Sequence, residues 1–141
     1  MRIRELEVSD AGRYQTLRLR ALKEHPSAFS SSYEEQRDRP ASFFAERLSR
    51  SFGSPDAFNL GCFVDDHLVG TVGFFREEGA KVMHRAWIVG MHVAAEHQGK
   101  GYGRALLLAA IERARQMPRL ALVQLGVESN NEAAISLYSS L

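Results

Sequence analysis

A glycine-rich stretch in the second half of the chain limits the possible folds more than any other feature of the sequence. Glycine occupies every second position at Gly99, Gly101 and Gly103. An apolar run, residues 86–93, precedes these glycines, and a segment with a helical apolar stripe, residues 105–117, follows them. The pattern therefore predicts a turn that carries a strand into a helix. Such a turn leaves the first N–H groups of the helix without intrahelical partners, and the helix dipole there favours an anion.

Two basic side chains, Lys100 and Arg104, add positive charge to this turn, so we expect a phosphate or pyrophosphate there. Two common phosphate-binding patterns do not fit. A Walker loop needs a glycine five positions before the Gly-Lys pair, and Gly90 lies too far from it. A dinucleotide-binding fingerprint has the spacing G-x-G-x-x-G, whereas this chain has G-x-G-x-G. A tight turn without a ligand, or a domain for another phosphate ligand, remains an alternative.

The turn resembles the Q/R-x-x-G-x-G/A signature of the GNAT family of N-acetyltransferases, and here it reads Gln98-Gly99-Lys100-Gly101-Tyr102-Gly103. The resemblance extends upstream through residues 87–93 and downstream through residues 131–138, and it covers the chain from about residue 59 to its end. In this family the turn binds the pyrophosphate of acetyl-CoA. The resemblance implies a mixed α/β sheet in which antiparallel strands precede a β-α-β unit with a splayed pair of parallel strands.

The periodicity of the N-terminal third predicts one strand and two helices. Residues 3–8 favour a strand, and apolar residues at helical spacing predict a helix that His25-Pro26 stops. A second helix is predicted over residues 40–50. The polar segment between the two helices lines the acceptor site in the family. The resemblance therefore makes Phe29, Tyr33 and Glu34 candidates for contacting the acceptor, although glutamates are more often surface residues.

Strand-like runs dominate the centre of the chain, at residues 60–64, 68–75 and 82–93. Short turns join them, which predicts an antiparallel meander. The run 120–127 follows the predicted helix, so it must return parallel to the third strand of the meander by a right-handed crossover. The glycine turn then lies at the carboxyl end of a strand, where ligands bind in open α/β sheets.

The resemblance also implies a set of site residues. Gly90 in mid-strand predicts a bulge, which would splay the strand to admit pantetheine. The backbone N–H of Val93 is the expected donor to the thioester carbonyl. His92 titrates in the range of a general base, but it alternates with its neighbours and should point to the opposite face, so no base is assigned. The cofactor-binding residues implied are Met91, His92, Val93, Gln98, Gly99, Lys100, Gly101, Tyr102, Gly103, Arg104 and Asn131.

Tyr138 is the expected catalytic residue, because it falls where the family often carries a tyrosine that protonates the departing thiolate. A phenol with a pKa near 10 donates to a thiolate of conjugate-acid pKa about 8.5 against a gap of about 1.5 units, or about 2 kcal/mol. Packing of Tyr138 in the core is the alternative role. Asn131 resembles the family's CoA-contacting asparagine, and its alternative role is to cap a helix.

Composition is that of an ordinary globular domain, and we expect residues 1–141 to form a single domain. The chain is 45% apolar and 25% charged, and its net charge of +1 gives no reason to expect nucleic acid or a membrane surface. No second ligand stands at metal spacing from its histidines, so no metal is expected. The charged N-terminus is unlike a signal peptide, and the lone Cys62 cannot form an internal disulfide. A cytoplasmic location is expected.

These observations predict an enzyme that transfers the acetyl group of acetyl-CoA to a primary amine by direct attack in a ternary complex. The acceptor, a small molecule or a peptide, is not identified by the sequence, and a homodimer is left open. A non-catalytic acyl-CoA-binding module of the same fold is the alternative. The family pattern continues with two more strands after Leu141, so we expect the natural protein to be longer.

Overall fold

A five-stranded mixed sheet is the centre of the computed structural model, which describes residues 1–24, 33–79, 81 and 83–125. The strands lie side by side in chain order. The first four are antiparallel to their neighbours, and the last is parallel to the fourth, as predicted. The strands are β1 (Arg2–Glu5), β2 (Ala57–Val64), β3 (His67–Arg76), β4 (Arg85–Val93) and β5 (Leu122–Leu125).

The helices of the described residues cover both faces of this sheet. The helix α4 packs on one face, and α1 and α3 pack on the other. Two 3-10 turns, Val8–Asp10 and Ala95–His97, precede α1 and α4 respectively. The α-helices are α1 (Ala11–Glu24), α2 (Tyr33–Gln36), α3 (Ala41–Ser51) and α4 (Tyr102–Arg115).

The face covered by α4 contains the larger core. Leu106 and Leu107 are almost fully buried, and α4 also buries Ala110, Ile111 and Ala114 against the sheet. The predicted stripe at residues 107–114 is therefore confirmed, and Leu106 adds to it. Burial of a leucine side chain stabilises the fold by about 1.5–3 kcal/mol, so this stripe fixes α4 firmly on the sheet.

The opposite face carries a smaller cluster made by α1, α3 and β2. Tyr14 and Phe44 meet edge to face with ring centroids 6.1 Å apart, and Leu48 and Phe63 are buried beside them. Leu6 also enters this cluster and is fully buried. The two clusters together sandwich the sheet between its helices.

Several predicted boundaries differ from the structure, among them the following three. The first strand ends at Glu5 rather than at residue 8, because the backbone N–H of Glu7 donates to the carboxylate of Asp10 and starts a 3-10 turn. The helix after the glycines begins at Tyr102 rather than at residue 105. The third strand of the meander starts at Arg85 rather than at residue 82.

Candidate functional site

Strand β4 contains the predicted bulge at Gly90. Thr71 pairs with His92 and Gly73 with Val89, so that two residues of β4, Gly90 and Met91, stand opposite one residue of β3. Gly90 has a φ of +60°, a conformation in which glycine avoids the Cβ strain of other residues. The bulge is therefore a consequence of glycine at this position.

The bulge also changes which residues of β4 face α4. Ala86 and Ile88 are in the core under α4, and after the extra residue Met91 and Val93 face the same way. His92 alternates with them, so it points to the other face, as predicted, and it is only 8% exposed. The side chains of Met91 and Val93 thus help to hold α4.

The parallel partner of β4 is described only in part. Arg85 to Ile88 pair with Leu122 to Leu125, which confirms the predicted parallel return. The described residues of β5 end at Leu125, before the level of the bulge. The predicted splaying of the two strands lies outside the described residues.

The turn after β4 is tied to the end of the strand by hydrogen bonds. The N–H of Ala94 donates to the carbonyl oxygen of Val69 at 2.8 Å, and that of His97 donates to the carbonyl oxygen of Ala94 at 2.8 Å. The side-chain Nε2 of Gln98 donates to the carbonyl oxygen of Val93 at 2.9 Å. Gln98 therefore closes the turn through its amide nitrogen.

The three glycines of the turn serve different purposes. Gly99 and Gly101 have φ values of +78° and +85°, and a Cβ atom added at either would meet nothing within 4 Å. Their requirement for glycine is conformational, and the space in front of them is open. A Cβ atom at Gly103 would lie 3.6 Å from the side chain of Val93, an ordinary contact. Gly103 is therefore a place where alanine fits.

The N-terminus of α4 offers an anion-binding site. Gly101 is the N-cap residue and has no side chain to cap the first N–H groups of the helix. Lys100 and Arg104 are exposed, and neither forms an ion pair with another described residue. A recess of about 260 Å³ at this turn is lined by Val93, His97, Gln98, Gly99, Gly101, Tyr102, Gly103 and Arg104. The N-terminal end of α4 and the side chain of Arg104 thus line a recess that favours an anion.

A fork-shaped ion pair joins this turn to α1. Arg20 Nη1 donates to Glu96 Oε1 at 2.9 Å, and Arg20 Nη2 donates to Glu96 Oε2. Arg20 Nε also donates to Glu24 at 2.9 Å. The hydrogen bond from Arg20 lowers the pKa of Glu96 to about 2, so Glu96 is a carboxylate at neutral pH. The hydrogen bonds from Arg20 make Glu96 a weak base.

The structure brings most of the predicted cofactor-binding residues to one edge of the sheet. Those from Met91 to Val93 lie on β4, and those from Gln98 to Arg104 form the glycine turn and the first turn of α4. Asn131, Tyr138 and Phe29 lie outside the described residues. Tyr33 and Glu34 belong to α2, but their side chains are not among those described.

Two residues at the site have no counterpart in the sequence analysis. Arg20 lies on α1 and reaches Glu96, a residue 76 positions away in the chain. His97 lines the recess, and its ring centroid lies 6.2 Å from that of Tyr102. The sequence carries no local signal for either contact, because both depend on how α1 and the glycine turn meet in the fold.

Other chemistry has little support among the residues described. Cys62 is fully buried in β2, and burial raises the pKa of its thiol, so it is a poor nucleophile. In residues 1–24, 33–79, 81 and 83–125, no three side chains of His, Cys, Asp or Glu converge as metal ligands would. None of the helices in these ranges has the length and apolar character needed to cross a membrane.

Comparison with known proteins shows which family the chain resembles. The model of the Acetyltransferase (GNAT) family matches residues 19–141. The chain is 30% identical over 118 residues to a mycothiol acetyltransferase from Paenarthrobacter aurescens, a match that covers 82% of this chain and 36% of that relative. The chain thus spans only about a third of that relative's length.

Two solved structures have the same fold. An acetyltransferase of the GNAT family from Streptococcus pneumoniae superposes with a TM-score of 0.84 at 24% identity, over 99% of this chain and 81% of the other. A PaiA N-acetyltransferase from Thermoplasma acidophilum in complex with coenzyme A superposes with a TM-score of 0.75 at 22% identity, over 99% of this chain and 86% of the other.

Proposed function

Because the chain belongs to the acetyltransferase (GNAT) family, we propose that it transfers the acetyl group of acetyl-CoA to a primary amine. The observation that carries the proposal is the combination, on one strand, of a bulge at Gly90 and a glycine turn that opens directly into α4. The bulge disturbs the strand where a thioester arm would run. The turn presents the first N–H groups of α4, and two basic side chains that form no ion pair with a described residue, where a pyrophosphate would lie.

The residues present fit a CoA pyrophosphate. Gly99 and Gly101 have no side chains, so the space in front of the turn stays open for a ligand. The first N–H groups of α4 would hold phosphate oxygens, and Lys100 and Arg104 would neutralise the remaining charge. Gln98, whose amide nitrogen closes the turn, would position these donors rather than bind the phosphates through that nitrogen.

Acetyl-CoA supplies an activated acyl group, and the chain supplies orientation and proton transfer. We propose that the amine attacks the thioester carbonyl directly, within a complex of enzyme and both substrates. The backbone N–H of Val93 would donate to the carbonyl oxygen, on which negative charge develops. Tyr138 would give a proton to the departing thiolate, and the amine must lose its own proton before or during the attack.

The acceptor class that we propose is a small-molecule or peptide amine. A mycothiol acetyltransferase is among the relatives of the chain, which favours a small molecule. A lysine-like amine with a pKa near 10.4 is protonated at neutral pH and needs a base, whereas an α-amine with a pKa near 8 needs less help. The carboxylate of Glu96 is engaged by Arg20, which makes it a poor base for a lysine-like acceptor.

Calorimetric titration with acetyl-CoA tests the cofactor site. Gly101→Glu would place bulk and negative charge in the recess, and we expect it to abolish saturable binding. Gly53→Glu is the matched control, because Gly53 also has a positive φ, +77°, and open space around it, but it lies in the turn after α3. Binding retained equally by both variants would contradict the assignment of the recess.

A second measurement separates the enzyme from a non-catalytic acyl-CoA-binding module. Purified protein is incubated with acetyl-CoA and a panel of amines, and release of free CoA thiol is followed over time. A transferase releases thiol only when its acceptor is present. Binding of acetyl-CoA without amine-dependent release across the panel would favour the binding module.

A further inference from the structure

The ion pair between Arg20 and Glu96 has an electrostatic consequence for the anion-binding recess. Glu96 lies three residues before Gly99, so their Cα atoms are at most about 11 Å apart. At 0.01 M ionic strength this distance lies well within the Debye length, which is about 30 Å. A bare carboxylate at Glu96 would therefore repel a phosphate bound at the glycine turn.

Arg20 is placed to cancel that charge. Its guanidinium donates to both carboxylate oxygens of Glu96, a geometry that also fixes the orientation of the two groups. The other described basic residues at the turn, Lys100 and Arg104, form no ion pair with Glu96 or any other described residue. Their charge stays free for a ligand because the partner of Glu96 comes from α1.

On the basis of the function proposed above, we propose that Arg20 is a positioning residue for the CoA site. By binding both oxygens of Glu96, Arg20 keeps this carboxylate neutralised and turned toward α1, so that the glycine turn remains attractive to the CoA phosphates. Arg20 does not touch the ligand. Its effect passes through Glu96, and removal of Glu96 makes Arg20 dispensable.

This role predicts an unusual pattern of CoA affinities. At about 10 mM ionic strength, Arg20→Gln exposes the charge of Glu96 and should raise the Kd for CoA about fivefold, the upper range for an exposed charge pair. Glu96→Gln removes the repulsive charge and should bind CoA at least as tightly as wild type. The double variant Arg20→Gln/Glu96→Gln should match the Glu96→Gln variant, so the second substitution rescues the first.

Two controls separate charge from structure. Arg50→Gln removes the same single positive charge from another exposed ion pair, with Glu46 on α3, and should leave the Kd near the wild-type value. At 1 M salt the Debye length falls to about 3 Å, so the loss caused by Arg20→Gln should shrink to less than twofold. A loss due to a distorted turn would persist at high salt.

Titration calorimetry with CoA on these variants decides the question. Equal Kd values for wild type and Arg20→Gln at low salt would overturn the role of Arg20. A double variant as weak as Arg20→Gln would also overturn it, because the defect would then be structural. If wild type itself does not bind CoA, the proposed function fails together with this inference. If wild type binds and the Arg20 series is flat, only this inference fails.

Discussion

Alanine substitution of two neighbouring glycines provides a quantitative test of the glycine turn. Gly101 has a φ of +85°, and an L-residue in this conformation costs about 1–2 kcal/mol. Gly103 lies inside α4, where alanine is favoured over glycine by up to about 1 kcal/mol, and its Cβ atom would meet Val93 at 3.6 Å. We therefore expect Gly101→Ala to destabilise the protein by about 1–2 kcal/mol and Gly103→Ala to be neutral or stabilising by up to about 1 kcal/mol.

Urea unfolding followed by circular dichroism measures both changes, and with a slope of about 1–3 kcal/mol per molar urea, 1 kcal/mol shifts the urea midpoint by about 0.3–1 M. Gly53→Ala, at a φ of +77° with open space around it, should cost about as much as Gly101→Ala. The reasoning is refuted if Gly101→Ala is as stable as wild type, or if Gly103→Ala is destabilised as much as Gly101→Ala.

Three further predictions concern stability and catalysis. Asp10 is buried and binds Arg4 through both oxygens at 2.8 and 2.9 Å, so Asp10→Asn should cost about 1–3 kcal/mol in urea unfolding at pH 7. Arg4 lowers the pKa of Asp10; this stabilisation is therefore present above about pH 4 and lost as the pH falls through the folded pKa, and the variant should lack that acid sensitivity. Leu106→Ala should cost about 2–4 kcal/mol, measured in the same way, because Leu106 is fully buried between α4 and the sheet. Tyr138→Phe should slow acetyl transfer in a steady-state assay while sparing acetyl-CoA affinity; unchanged turnover would remove Tyr138 as the proton donor.

Local sequence patterns were sufficient to predict the sheet and its bulge. Strand-like runs joined by a short turn predicted the β2–β3 hairpin, and Asp65 and Asp66 adopt a positive φ in its two-residue turn. Gly90 predicted the bulge, because glycine has no side chain to pack in a strand and often marks a bulge there. These features depend on residues close together in the chain, which a sequence displays directly.

The boundaries that the sequence predicted wrongly depend on competition between neighbouring structures. The residue types at positions 6–8 favour a strand. These residues nevertheless lie outside the sheet, because the hydrogen bond between Glu7 and Asp10 stabilises a 3-10 turn there. The helix α4 was placed three residues too late, because the prediction followed the apolar stripe, which begins at residue 105. Gly101, in the left-handed conformation, in fact provides the N-cap.

The contact between Arg20 and Glu96 could not have been predicted from spacing. The two residues belong to segments that meet only after α1 has packed on the sheet and β4 has paired with β3. The position of Arg20 in the helical pattern of α1 is that of a solvent-facing residue, and an ion pair with Glu24, four positions later, is typical of an exposed helix face. Only the fold distinguishes the residue that supports the site from its neighbours.

Detection of the acetylated product tests the central claim most directly. Wild-type protein, Gly101→Glu and Gly53→Glu are incubated with isotopically labelled acetyl-CoA and a panel of α-amines and lysine-like amines, and the products are analysed by mass spectrometry. The account predicts label on the nitrogen of an amine with wild type and Gly53→Glu, and none with Gly101→Glu. Tight acetyl-CoA binding by wild type with no labelled amine anywhere in the panel would contradict it and would favour a module that only binds acyl-CoA.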